Sequence, residues 1–326
     1  MATAYIIDAV RTAGGKRGGK LAGWHPVDMG AAVLDAIVGR TGIDGKAVED
    51  VIMGCVSQGG QQAGQLGRNA VLATKSLGES VPAVTIDRQC GSSQQAMQFA
   101  AQAVMSGTQD LIIASGVESM TRVPMGSTAM FHAKEGLGTY KSPGLEENYP
   151  GILWSQFMGA EMMVQKHGFS KDQLDQFALN SHHKAIAATN AGAFANEILG
   201  LEIETPEGTV MHLVDEGIRF DATLESIASV KLMSEGGSLT AASASQICDG
   251  ASAVLIASEQ AVKDHGLFPI ARIHNLTVTA GDPVIMLEEP LFATDRALQR
   301  AGMKLSDIDL FEVNEAFASV PMAWLK

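Results

Sequence analysis

The sequence predicts a layered α/β fold, and three observations carry that reading. Strand-like and helix-like apolar periods alternate through the first 120 residues. Leu111–Ser115 is a near-continuous apolar run, the mark of a strand covered on both faces. The pattern of helix, Gly, acidic turn and strand occurs twice, over residues 36–56 and 297–313, which hints at two similar halves.

Taken in order, Tyr5–Val10 reads as a strand. Val27, Ala31, Leu34 and Val38 share one helical face, with Gly39 and Gly42 supplying the stop. Val51–Val56 and Val81–Ile86 read as strands, and Gly91–Ser106, rich in Ala and Gln, as a helix. From about Met120 the rhythm breaks, and residues 121–153 are rich in Gly, Pro and Met. Ser170-Lys171-Asp172-Gln173 is a capping box that opens a helix with Leu174, Phe177, Ala178, Ser181 and Ala185 on one side. Short strands and turns fill residues 196–239, and Ala251–Ala257 is again a buried-strand run. An insertion of roughly 120 residues therefore interrupts the layered domain. A strand at Leu310–Val313 and a helix over Glu315–Leu325 are expected at the end. That helix reaches Lys326 with no Gly or Asn cap and no returning strand, so the expectation is a shortened chain or one completed by another.

Hydrophobic residues at 46% allow a sizeable core, and charged residues at 18% are too few for a disordered chain. The formal charge of −13, from 23 basic and 36 acidic side chains, argues against a nucleic-acid partner, because phosphate neutralisation needs clustered Lys and Arg. Three widely spaced Cys do not make a disulfide framework, so a reducing compartment is expected. No leader pattern and no apolar run of membrane-spanning length is visible, so the expectation is a cytoplasmic protein with no membrane partner.

Gly14-Gly15-Lys16-Arg17-Gly18-Gly19-Lys20 has P-loop spacing, but Leu21 stands where a magnesium-holding Ser or Thr is needed. A flexible basic loop is the better reading. Cys90 follows a strand, and Gly91-Ser92-Ser93 leads into a helix. A thiol there lies beside the positive end of a helix dipole, which favours a thiolate nucleophile. Its own N–H is placed to meet a developing oxyanion. The competing reading is a buried structural Cys. Cys55, ending a strand, and Cys248, in a small-residue turn before another, read as packing residues. Asn314-Glu315-Ala316-Phe317 lies at a second strand-to-helix junction, where Asn is either a helix cap or a holder of a water or substrate oxygen. His182 and His183 are adjacent on a helix, so they point apart and read as surface residues rather than a metal pair. No Cys-x-x-Cys, His-Glu-x-x-His or carboxylate cluster calls for a metal, and the 16 Met read as filler for the core and for a flexible acyl pocket.

Asp87-Arg88-Gln89-Cys90-Gly91-Ser92-Ser93 resembles the nucleophile motif of the thiolases, the acyl-CoA C-acyltransferases. Gly116-Val117-Glu118-Ser119-Met120-Thr121, Arg11-Thr12 with Gly15-Lys16, Thr240–Ala253 and Asn314–Phe317 resemble further segments of that family in the same order. The resemblance implies a five-layered α-β-α-β-α fold with duplicated halves, the second incomplete here. Residues 1–120 and 240–268 would form the N-terminal half carrying the nucleophile. Residues 121–239 would be an inserted CoA-binding loop domain, and 269–326 the start of the C-terminal half.

The resemblance also implies chemistry. Cys90 would attack a 3-oxoacyl-CoA, release acetyl-CoA and hold the acyl group as a thioester for a second CoA, or run the reverse condensation. CoA is then a substrate, with no permanently bound cofactor and no metal. Asn314 would hold the oxyanion-hole water. Arg219 falls at the adenosine-phosphate end with Ser226 nearby. Ser245, Met158 and Met286 line the pantetheine channel, and Ala316 and Phe317 flank the thioester end. The family's catalytic His, in a Gly-His-Pro motif, and its second Cys follow Asn-Glu-Ala-Phe. None of the eight His here lies in that context. The expectation is a missing tail of about sixty to seventy residues, and a fragment inactive alone.

Ser93 stands where Gly is usual and Ala13 where Pro is common. Phe157 occupies a segment in which short-chain biosynthetic members carry a His, so the chain resembles degradative members acting on bulkier acyl groups, sterol side chains included. A homodimer or homotetramer is expected. The alternatives are a ketosynthase-like condensing enzyme and a non-catalytic CoA-binding or assembly subunit.

Overall fold

In the computed structural model, which describes residues 2–326, the expected alternation is present through residue 119. Numbered along the chain, the early elements are β1 (Ala4–Thr12), β2 (Gly15–Lys16), α1 (Pro26–Thr41), β3 (Asp50–Gly54), α2 (Leu66–Ala73), β4 (Ala83–Ile86), α3 (Ser92–Ser106), β5 (Leu111–Ser119) and α4 (Ser127–Lys134). Next come α5 (Pro143–Asn148), α6 (Gln156–His167), α7 (Lys171–Asn190), β6 (Ile198–Leu199), β7 (Leu201–Thr205), β8 (Gly208–His212) and α8 (Leu224–Ala228). The chain closes with β9 (Cys248–Ser258), α9 (Glu259–Asp264), β10 (Ala271–Arg272), α10 (Glu289–Ala301) and α11 (Ser319–Leu325).

One compact unit holds the chain up to Thr139 with Gly192–Gly217 and Ile247–Ile273. Its sheet has the order β10-β1-β9-β5-β3-β4, with β2 added to β9 and β6 to β1. β3 pairs parallel with β4 and β5, whereas β9 runs antiparallel to both β1 and β5. β5 is therefore central, and its burial follows. Leu111, Ile113 and Val117 join α1 and α2 in one core, while Ile112 and Ala114 alternate to the other face and are equally buried. Each such side chain contributes about 1.5–3 kcal/mol of apolar burial. The glycine stop of α1 is Gly42, in the left-handed region at φ 71°, while Gly39 stays helical.

A second unit gathers Tyr140–Ala191, Ile218–Gln246 and His274–Lys326, and it is entirely helical among its regular elements. These units divide the chain at different points from the insertion boundaries read in the sequence. Both halves of the α7 capping box form: Ser170 Oγ accepts the Gln173 N–H at 3.3 Å, and Gln173 Oε1 accepts the Ser170 N–H at 2.9 Å. The core here joins Ala160, Met163, Ile285, Phe317 and Val320.

Two expectations fail at the end of the chain. Leu310–Val313 is not a strand, because among the described residues nothing pairs with it; Leu310 is 89% exposed. The last helix starts at Ser319, not Glu315, since Ala316–Ala318 are drawn into backbone bonds with residues 243–245. Among the described residues, no helix is long and apolar enough to cross a membrane.

Candidate active site

Cys90 lies in the first unit, in a turn between β4 and α3 built from its own neighbours. Asp87 accepts the Gln89 N–H at 2.6 Å, and Ser92 Oγ accepts the Arg88 N–H at 2.9 Å while donating to the Gln89 carbonyl at 2.6 Å. Gln89 adopts φ 48°, a left-handed conformation that costs a side chain of its shape free energy and is held by this bonding. The Cys90 side chain is exposed, and its N–H has no hydrogen-bond partner among the described residues.

Two glycines set the height of this turn. Gly54 of β3 and Gly116 of β5 sit side by side in register. A Cβ on Gly54 would lie 2.5 Å from the Ser92 carbonyl carbon and the Ser93 nitrogen, and one on Gly116 would collide with the Ser93 side chain. This bare patch lets the first turn of α3 lie directly on the sheet. Sequence reasoning missed it; glycine inside an otherwise strand-like run was the available signal.

The other two thiols differ. Cys55 is 1% exposed, and burial together with the adjacent Glu118 carboxylate pushes its thiol up to about 12. Glu118, also missed, is fixed there by the N–H groups of Val56 at 2.8 Å and Ser57 at 3.2 Å and by Gln62 Nε2 at 3.0 Å. Cys248 corrects the sequence reading, for it is the first residue of β9 and is exposed rather than packed. Partial desolvation and the Asp249, Glu118 and Asp215 carboxylates raise its thiol as well.

The glycine-rich loop after β1 is filled by carboxylates. Asp215 accepts the Gly14 N–H at 2.6 Å and both Arg11 terminal nitrogens, at 2.8 and 3.1 Å. Glu216 accepts the N–H groups of Lys16 at 3.1 Å and Lys20 at 2.8 Å. Burial opposes the Asp215 charge, but Arg11 and the Gly14 N–H overcome it and hold the carboxyl below its usual range. A short 3-10 turn, not an α-helix, opens at Lys20.

The remaining eight candidates fall in the second unit. Ser245 donates its N–H to the Ala316 carbonyl at 2.8 Å, and Ala244 bridges Phe317. Phe317 is buried and meets Phe157 edge to face, centroids 5.5 Å apart. Met158 is 53% exposed at the start of α6. Gly159 beside it has no room for a Cβ, which would lie 2.5 Å from the Ile285 carbonyl oxygen. α6 thus packs directly on the segment bearing Met286, whose φ is 40°. Glu288, accepting Lys166 Nζ at 2.7 Å and bonded to His167 at 3.2 Å, pins that segment to α6. Met158, Ser245, Met286, Ala316 and Phe317 are accordingly brought into one neighbourhood.

Arg219 and Ser226 are exposed and share a turn and short helix, with Ser226 closing a capping box on Thr223. The Arg219 guanidinium makes no hydrogen bond or ion pair among the described residues. Asn314 is exposed and lies in irregular chain, not at a strand end. Among the described residues no group of three or more His, Cys, Asp or Glu is arranged to hold a metal.

The thiolase N-terminal domain matches residues 4–260, and the thiolase C-terminal domain matches residues 267–326. A steroid 3-ketoacyl-CoA thiolase of Mycobacterium tuberculosis is 51% identical over 328 residues, covering 100% of this chain and 79% of that protein. A 3-ketoacyl-CoA thiolase of Yersinia pestis is 39% identical, covering 100% and 83%. Among solved structures, the Bacillus anthracis acetyl-CoA acetyltransferase superposes with a TM-score of 0.88 at 32% identity, covering 99% of this chain and 82% of that one. Human mitochondrial 3-ketoacyl-CoA thiolase does so with 0.86 at 33%, covering 99% and 82%. With two domain matches spanning nearly its whole length and a thiol carried on a strand-to-helix turn, the chain belongs to the thiolase family of acyltransferases.

Proposed function

We propose that this thiolase cleaves 3-oxoacyl-CoA substrates through a thioester on Cys90, and that its acyl groups are bulky and steroid-derived. Cys90 Sγ adds to the C3 carbonyl, and the C2–C3 bond breaks. C2 takes a proton to leave as acetyl-CoA, and the acyl group stays on sulfur. The thiol of a second CoA then displaces Cys90 and carries the acyl group away. A thiolate serves both steps as nucleophile and leaving group. The observation that carries the reading is the contrast among thiols. Cys90 is exposed at the start of a helix, and its own N–H has no partner among the described residues; burial and Glu118 hold the Cys55 thiol, and partial desolvation with the Asp249, Glu118 and Asp215 carboxylates raises the thiol of the exposed Cys248.

CoA enters as substrate. Arg219 takes its phosphates, Ser226 lies nearby, and Met158, Ser245 and Met286 line the pantetheine arm. Ala316 and Phe317 border the thioester, and Asn314 holds the oxyanion water. The apolar Phe157–Phe317 wall and the 51% identical steroid thiolase favour a bulky acyl group over a short one. The loop-domain assignment of 121–239, the two halves at 1–120 with 240–268 and from 269, a homo-oligomer and a cytoplasmic location complete the proposal.

Intact-mass and peptide mapping after incubation with steroid-derived and linear 3-oxoacyl-CoA tests this. The expected result is an acyl adduct on Cys90, lost in Cys90→Ser, forming faster with the steroid-derived substrate. An adduct confined to Cys55 or Cys248 overturns the nucleophile. Equal rates overturn the substrate class.

A further inference from the structure

His182, which the sequence places at the surface with His183, has a definite partner. The Arg219 N–H donates to its Nδ1 at 3.3 Å, so the ring carries its proton on Nε2. One residue earlier on α7, Ser181 Oγ donates to Glu315 Oε2 at 2.7 Å, and Glu315 follows Asn314 directly. Nearer the start of the same helix, Lys171 Nζ donates to the Ala228 carbonyl at 3.1 Å and pairs with the buried Asp175, holding the end of α8, which carries Ser226. All three contacts lie within the second unit. They place the Arg219 turn, the Ser226 helix and the Asn314 segment along a single helix of 20 residues.

The turn after Arg219 also packs on α7, Ala222 and Ile227 meeting Ala178 and Leu179, but that packing lies downstream of Arg219 itself. Its side chain is exposed and unpaired, and the one other bond of the residue is a turn bond from Ala222 N–H to the Arg219 carbonyl at 3.2 Å. The side chain at 182 therefore supplies an acceptor that anchors the backbone from which the guanidinium extends. The groups facing His182 are Arg219, Glu315 and His183. Burial and the Arg219 charge lower its pKa and keep the ring neutral, which is the form that accepts an N–H.

We propose that His182 is a positioning residue for the nucleotide end of CoA, fixing the Arg219 backbone so that its guanidinium meets a phosphate. The inference rests on the CoA reading given above. It predicts a selective defect: loss of the acceptor harms recognition of the phosphates and leaves the pantetheine arm untouched.

Calorimetric titration of the purified full chain with CoA and with pantetheine, which lacks the nucleotide, separates these. His182→Ala, or His182→Phe where truncation unfolds the protein, is expected to weaken CoA binding about five- to tenfold and to leave pantetheine binding within about twofold. His182→Asn, whose amide oxygen can replace Nδ1, is expected to restore CoA binding. Arg219→Ala is expected to weaken CoA and spare pantetheine. Normal CoA binding by the acceptor-free variants, with Arg219→Ala impaired, overturns the role of His182 and leaves the CoA reading standing. Equal weakening of both ligands, or failure of His182→Asn to rescue, also overturns it. An Arg219→Ala chain that binds CoA normally, or a wild-type chain that binds none, overturns the CoA reading and the inference together.

Discussion

β5 and the Leu310–Val313 segment look alike as sequence, each a short apolar stretch following an acidic turn. β5 has β3 along one edge, β9 along the other and side chains buried on both faces. The later stretch has no paired neighbour among the described residues; Leu310 is 89% exposed, and the half-exposed Phe311 meets the Trp324 ring, centroids 4.9 Å apart. Periodicity nominates a strand, but backbone partners on either side decide whether it forms. The contrast extends to the two candidate catalytic segments. Cys90 sits on a turn closed by its own neighbours over a glycine patch, while the Asn314 stretch is held by residues distant in sequence, Ser181 at Glu315 and residues 243–245 at Ala316–Ala318.

Truncation should expose this difference most sharply. Ile113→Ala in β5 is expected to cost about 2–5 kcal/mol, and Leu310→Ala less than about 0.5 kcal/mol, in urea denaturation. Equal losses would break the comparison. A smaller effect is expected at the glycine patch. Gly54→Ala forces a methyl against the Ser92–Ser93 backbone and should cost about 1–3 kcal/mol. It should also slow alkylation of Cys90, and unchanged values for both would remove the patch from the site.

Acid should act next. His212 is fully buried, its ring nitrogens have no hydrogen-bond partner of good geometry among the described residues, and burial depresses its pKa below 6.5. Above pH 6.5 it is neutral in both states and adds no pH dependence. Below that, the unfolded chain takes up the proton first, and stability falls by up to about 1.4 kcal/mol per pH unit until the folded ring also protonates. His212→Gln should flatten that slope in melts taken between pH 7 and 5; an unchanged slope would assign the loss to other groups. Ser181→Ala should be the mildest change, within about 0.5–1 kcal/mol, with any effect confined to the second unit's transition.

Short-range chemistry was legible in the sequence. Gly42 and Gly302 stop their helices in left-handed conformations, Ser170 and Gln173 close their box, and Cys90 stands where strand gives way to helix. Each depends on residues a few positions apart. What stayed hidden joins distant parts of the chain. Gly54 and Gly116 matter only once β3 lies beside β5, and His182 only once Arg219 is folded against it. The late start of α11 has the same origin, since Ala318 donates its N–H to the Ser243 carbonyl at 2.8 Å and is unavailable to an earlier helical turn. Cys248 looked like filler because nothing in its neighbours reveals that the first residue of β9 faces outward.

The loop of residues 14–20 carries its own counter-ions, tethered through the main chain at Asp215 and Glu216. A free anion can dock there only by evicting two carboxylates that never diffuse away. Sulfate or pyrophosphate in the buffer should therefore leave this region unchanged, and soaking or titration with such salts will report on Arg219 without interference from the most glycine-dense stretch of the molecule.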